Sequence, residues 1–187
     1  FKDSNQAFSK IRDQLQQGYP EAVRLRRLAQ ETAWMAQRGQ YNVPRLLQRN
    51  DKLTTMLAFS HFAESAMRAA HLCARSYAPY YKWLLHSTEQ LPQGAELAAL
   101  LQKSTTLPLE QWETEIIAPV CAIIAKQMKE QGISTQEESY MQVHAEAAAQ
   151  QAALLEQKEA LVEKIVRLEF SEFDKVKNEG VRAGCQD

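Results

Sequence analysis

Six glycines divide this 187-residue chain, at positions 18, 39, 94, 132, 180 and 184. Each falls where a helical pattern of apolar residues stops, and none falls inside one, as expected of helices closed by glycine. No run alternates apolar and polar residues with the Val, Ile and Thr content of a strand. The chain therefore reads as all-α, a helical bundle of about six to seven helices with a long C-terminal helix or helical arm.

Taken in order, a Gln-rich helix is expected over 4–17, with Phe8, Ile11 and Leu15 as its apolar stripe. Pro20 opens a helix over about 20–38, with Leu25, Leu28, Ala29, Thr32, Met35 and Ala36 on one face at steps of three and four. Arg24, Arg27, Glu31 and Arg38 lie off that stripe. The next helix, about 51–76, carries Phe59, Phe62, Ala63, Ala66, Met67, Ala69, Ala70 and Cys73 over a wide arc. Its many small residues allow close helix approach, which makes it the candidate central helix. Short helices follow over about 79–88 and 95–103. A longer one over 108–131 should kink at Pro119, because the ring removes a backbone donor and clashes one turn back. Ser134 and Glu137 have capping-box spacing ahead of a final Ala-, Gln- and Glu-rich segment over 135–178, for which a break or a protruding arm is expected. Leu154, Leu161, Ile165, Leu168 and Phe173 suggest a seam there for another helix, and so a route to a homo-oligomer.

Composition narrows the class. No apolar run approaches the roughly 20 residues that span a bilayer, so no membrane is expected. The polar N-terminus is not expected to be a signal peptide, and a start at Phe1 rather than Met is expected of a piece of a longer polypeptide or of a processed or trimmed chain. Cys73, Cys121 and Cys185 are distant and odd in number, which makes neither a disulfide framework nor a zinc knuckle. The expected compartment is the reducing cytoplasm, with Cys73 and Cys121 as buried thiols. The net charge of −1 argues against a nucleic-acid partner, yet it hides an asymmetry. Residues 1–90 carry 13 Lys/Arg and 7 Asp/Glu, whereas 91–187 carry 9 and 16.

Four of these cations, Arg38, Arg45, Arg49 and Lys52, fall within 15 residues, at and just after one polar stretch, Arg38-Gly-Gln-Tyr-Asn-Val-Pro-Arg45-Leu-Leu-Gln-Arg49-Asn-Asp51. Gly39 can stop one helix and Pro44 begin the next, which would make the stretch a connector held at both ends. Such loops on rigid scaffolds often carry ligand contacts, and a merely solvated basic elbow is the plainer reading. A second cluster, Tyr77-Ala-Pro-Tyr80-Tyr81-Lys82-Trp83, is either an aromatic packing plug or a wall that stacks on a ring, with Lys82 on a phosphate. His61, Glu64, Arg68, His71 and Arg75 share a helix face. A metal or acid–base site is the sharper reading and a solvent-facing stripe with internal ion pairs the plainer one. Too few acids are present for a di-metal site, and Arg68 would repel a cation. No metal is expected.

The chain has no Gly-Ser pair ahead of Asp-x-Asp, no phosphate-cradling glycine loop, no His-Glu-x-x-His and no nucleophile elbow. No complete active site is legible, and no catalytic residue is assigned.

Gly39-Gln-Tyr-Asn42, Arg45, Arg49-x-Asp51, Tyr77-x-Pro-Tyr-Tyr-Lys-Trp83 and Leu91-Pro92 resemble an uncharacterised helical domain family. That family follows a minimal nucleotidyltransferase catalytic domain, in kanamycin nucleotidyltransferase-like architectures. The likeness covers about residues 10–100 and departs from the family pattern at Ala74, where that pattern has Asn. Glu169-Phe-x-x-Phe173-Asp-x-Val-x-Asn178-x-Gly180-Val-Arg182-Ala-x-Cys185-Gln-Asp187 resembles the opening motif of a second uncharacterised family, with Val181 where a second glycine is usual. The division implied is a helical domain over 1–105 and a helical extension over 106–187 ending in that truncated motif.

The resemblance implies the substrate-side domain of a nucleotidyltransferase, an enzyme that transfers a nucleotidyl group from an NTP to a hydroxyl acceptor. An upstream catalytic domain would be the partner and would hold Mg²⁺ and the NTP, with no cofactor in this chain. Arg45 and Arg49 would face the triphosphate or the acceptor. Gln40, Tyr41 and Asn42 would order the loop or hydrogen-bond the acceptor, with Asp51 in the same motif. Tyr80, Lys82 and Trp83 would form the adjoining wall. The alternative, from the residues, is a non-catalytic interaction or oligomerisation module that uses the acidic 135–178 arm. A metal-dependent helical-bundle enzyme built on His61, Glu64 and His71 is the third reading.

Overall fold

Apolar residues at helical spacing draw together a bundle built around one long helix. The structure, a computed structural model, describes residues 6–183, with side chains described through Lys164. In chain order the α-helices are α1 (Ala7–Gln16), α2 (Glu21–Met35), α3 (Val43–Gln48), α4 (Lys52–Cys73), α5 (Tyr81–Glu89), α6 (Gly94–Gln102), α7 (Ala118–Glu130) and α8 (Met141–Ala183). There is no strand among the described residues. The fold is all-α.

The central helix is α4, which packs against α2, α3, α5, α6 and α7. Phe59, Phe62, Ala66, Ala69 and Ala70 are buried along it, and the Phe59 ring lies 4.3 Å from that of Trp112. The expected stripe of α2 is buried throughout, from Leu25 to Ala36. Arg24, expected off the stripe, is buried as well. It donates to both Glu21 oxygens (2.6 and 2.9 Å), to the Leu72 carbonyl (3.0 Å) and to Gln131 Oε1 (3.2 Å). Glu21 also receives Arg75, at 2.7 and 3.2 Å. One buried guanidinium thus ties the start of α2 to the ends of α4 and α7, its charge answered by a carboxylate as burial requires.

Helix α2 does not stop at Gly39. The backbone stays helical from α2 through a π-helical segment, Ala36–Asn42, and straight into α3. Gly39 is buried inside that path. A second π segment, Glu113–Ile117, leads into α7. Each π segment is followed directly by a helix whose first turn holds a proline, Pro44 or Pro119. Proline has no N–H for the carbonyl four residues back, and its ring crowds that carbonyl. The wider π turn accommodates both problems. Pro119 thus falls where the π segment gives way to α7, and the two π segments pack against each other.

Ser134 and Glu137 do not cap α8, which begins at Met141. Ser134 is buried, with its hydroxyl 2.8 Å from His144 Nδ1, and Glu137 pairs with Lys129 at 2.7 Å. His144 Nε2 lies 2.9 Å from the Glu138 carbonyl, so this buried histidine fastens the loop ahead of α8. The chain divides into a compact unit up to Ala152 and a second unit from Ala153, the latter formed by the rest of α8. Residues 106–152 lie within the first unit. Within the second unit α8 runs unbroken to Ala183, so Gly180 too lies inside a helix. Leu154 and Leu161 of the expected seam are exposed, whereas the side chains of Ile165, Leu168 and Phe173 lie outside those described. So do those of the C-terminal motif, from Glu169 onward.

Candidate functional site

The polar stretch singled out in the sequence folds as the π segment, α3 and a tight corner into α4. α3 closes with Asn50 in the left-handed conformation (φ 55°). The Asn50 and Asp51 amides return to the Leu47 and Leu46 carbonyls at 2.9 and 3.1 Å. This is a Schellman closure with asparagine in place of glycine. Asp51 then caps α4, accepting from the Thr54 amide at 3.1 Å, and Thr54 holds its carboxyl below the usual range. Of the assigned binding residues, Asp51 thus has a clear local task in the backbone.

Between α3 and the first half of α4 lies a groove of about 510 Å³. Arg38, Tyr41, Asn42, Arg45 and Arg49 form one side of it, and Thr54, Leu57, Ala58 and His61 of α4 the other, with Leu46 between. No carboxylate lines it. The Arg45 guanidinium sits 3.4 Å from the centre of the Tyr41 ring and donates to the Tyr41 carbonyl at 3.2 Å. Arg38 lies over the Trp34 ring at 4.3 Å and donates to Ser65 Oγ at 3.1 Å. Behind it, Ser65 hydrogen-bonds Glu31, whose carboxyl is held above the usual range chiefly by burial. Elsewhere Arg12, Arg24, Arg68 and Arg75 each reach a carboxylate. The Arg49 side chain has no hydrogen-bond or ion-pair partner among the described residues.

Four of the assigned residues, Tyr41, Asn42, Arg45 and Arg49, therefore share one groove. Gln40 does not join them. Its amide faces the start of α8, donating to the Ser139 carbonyl at 2.7 Å and accepting the Met141 amide at 2.8 Å. Tyr80, Lys82 and Trp83 lie at the start of α5, beyond the far end of α4, and line no part of the groove. From Ala58 to Cys73 the rise of α4 is roughly 20 Å. These aromatics are no packing plug either: Tyr80 and Trp83 are each 65% exposed, and Tyr81 is 60% exposed.

The shared face expected along α4 splits in the same way. Glu64 and Arg68 form the internal ion pair, at 2.8 Å, and Arg75 turns to Glu21. His71 is buried, with Nδ1 donating to the Met67 carbonyl and Nε2 accepting from the Ser87 hydroxyl, both at 2.9 Å. Both ring nitrogens are thus engaged, and burial holds the ring's pKa below its ordinary value. No group of three His, Cys, Asp or Glu suited to a metal occurs among the described residues. Cys73 and Cys121 are buried, as expected, and burial raises the Cys73 thiol to about 12. Sequence reasoning omitted Arg38 and His61 from the site; their helical steps to Asn42 and to Leu57 and Ala58 were the available signal.

Residues 1–84 match the model of a domain of unknown function, DUF4037. This supports the resemblance of the N-terminal part to an uncharacterised domain family. No curated protein and no solved structure matches the chain. No helix among the described residues is long and apolar enough to cross a membrane.

Proposed function

We propose that this chain is the substrate-side helical domain of a nucleotidyltransferase, working beside a catalytic domain that supplies Mg²⁺ and the NTP. The observation that carries the reading is the groove in which Arg45 and Arg49 stand beside Tyr41 and Asn42 with no carboxylate among them. Transfer of a nucleotidyl group needs cations around phosphates and an acceptor hydroxyl held in place. A groove with two guanidiniums, Arg45 held on Tyr41 and Arg49 able to move, and a neighbouring amide meets both needs. The exposed apolar stripe Phe8, Ile11 and Leu15 of α1, and the exposed aromatics at the start of α5, are surfaces of the kind that adjoining domains bury.

The test is a thermal-shift titration with Mg²⁺ and each of the four NTPs. It is run on this chain alone and on the chain joined to the catalytic domain that the resemblance implies. A ligand that binds only the folded state raises the melting temperature by mass action. The reading expects a shift in the joined protein, and transfer activity that falls in Arg45→Ala and Arg49→Ala. Unchanged turnover in both variants rejects it. Exposed Leu154, Leu161 and Val162 along α8 favour the second reading, a non-catalytic oligomerisation module. That module would show concentration-dependent mass in light scattering and no response to NTPs.

A further inference from the structure

We infer that the groove between α3 and α4 is a seat for an oligophosphate chain, carried by Arg38, Arg45 and Arg49. The inference rests on the reading above for the groove being ligand-facing. It decides which part of the ligand lies there, the phosphates rather than the acceptor.

The argument begins with charge. Three guanidiniums line a groove of about 510 Å³ and no carboxylate does, in a chain whose net charge is −1. Four other arginines each reach an acid, whereas Arg45 and Arg49 pair with none and Arg38 has Glu31 only behind the groove, across Ser65. Leu46, Leu57 and Ala58 add apolar groups to the lining.

Geometry narrows the ligand. Two of the three guanidiniums are already held, Arg45 on the Tyr41 ring and Arg38 between the Trp34 ring and Ser65. Stacking occupies a guanidinium's face and leaves N–H groups on its edge, the geometry that suits phosphate oxygens. Holding them beforehand removes part of the ordering cost of binding. Arg49, whose side chain has no partner among the described residues, is free to close on the ligand. His61 and Asn42 add further hydrogen-bonding groups to the same walls. Three fork-shaped cations along one groove fit a chain of linked phosphates better than a single anion. The volume suits a small molecule.

The experiment is calorimetric titration of the 187-residue chain with sodium tripolyphosphate, pyrophosphate and orthophosphate at low salt. Saturable binding is expected, tightest for tripolyphosphate and weakest for orthophosphate, and weakened by added salt. Arg45→Ala and Arg49→Ala should each lower tripolyphosphate affinity about tenfold, or about 1.4 kcal/mol. Arg49→Lys should retain part of it, and Lys103→Ala, an exposed charge outside the groove, should change nothing. Melting temperatures of the variants, recorded without ligand, show that they are folded. No saturable binding at millimolar tripolyphosphate overturns the inference, as does binding indifferent to Arg45→Ala and Arg49→Ala. If tripolyphosphate binds through these arginines while transfer by the joined protein ignores them, the seat stands and the transferase reading falls. If transfer needs them but the chain binds no tripolyphosphate, the inference falls and the transferase reading stands.

Discussion

Gly39 lies against the ring of Phe62 so closely that a Cβ there would be 2.8 Å from Phe62 Cε2 and 2.9 Å from Cγ. Both distances are inside van der Waals contact, and Phe62 is fully buried with nowhere to retreat. Glycine is required at this point for close approach, since the backbone itself is helical. Gly39→Ala should therefore destabilise the fold by about 1–3 kcal/mol, the usual cost of overpacking a core. Urea unfolding measures it. If the clash is the cause, Phe62→Leu in the same chain should make the second substitution cost less than it does alone, and strict additivity would reject that cause.

Arg24 and Glu21 make a pH-dependent fastener. Two arginines hold the Glu21 carboxyl down to about 2, with the Arg24 hydrogen bond the largest influence. A carboxyl lowered on folding contributes stability that is present above its unfolded value of 4.5. That contribution is lost as pH falls through about 2. The urea midpoint should fall on acidification across this window, and fall less in Glu21→Gln. Arg24→Met, which leaves the Leu72 carbonyl and Gln131 without their donor, should cost about 3 kcal/mol at neutral pH. A loss under about 1 kcal/mol would show that the pair is screened like a surface bridge.

Glu31 behaves in the opposite sense. Burial raises its carboxyl pKa, and Oε2 is buried with no hydrogen-bond partner among the described residues. The folded state prefers the protonated form, so the charge costs stability at neutral pH, and the cost disappears as pH falls below the unfolded value. Glu31→Gln should raise the urea midpoint at pH 7.5 and lose that advantage near pH 4. An equal gain at both values would assign it to packing instead.

These cases show what the linear chain carries. Spacing of three and four identifies the buried stripe of α2 and the central place of α4, because burial of one helix face is a local periodic property. It misplaces Arg24, whose partner Gln131 is 107 residues away and carries no periodic signature. It misreads Gly39 as a stop, since a glycine chosen for contact with Phe62 looks the same in sequence as one chosen for a cap. The candidate site divides along the same line. Tyr41, Asn42, Arg45 and Arg49 recur at helical steps and share the groove, whereas Tyr80, Lys82 and Trp83 are joined to them only by the family resemblance.

Gln40 separates a structural amide from a ligand-facing one. Its side chain grips the first turn of α8 from both sides, at 2.7 Å to the Ser139 carbonyl and 2.8 Å from the Met141 amide. Helix starts leave backbone donors unpaired, and here a glutamine 101 residues away supplies the acceptor. Gln40→Ala should cost about 1–2 kcal/mol for the two lost hydrogen bonds, and exchange of the Met141 amide hydrogen should accelerate. Tripolyphosphate affinity should not change. Arg49→Ala should show the reverse pattern, with stability unchanged and affinity lowered, because its exposed side chain supports nothing in the fold. If Gln40→Ala weakens binding while α8 keeps its protection, the amide belongs to the ligand and the clamp is incidental.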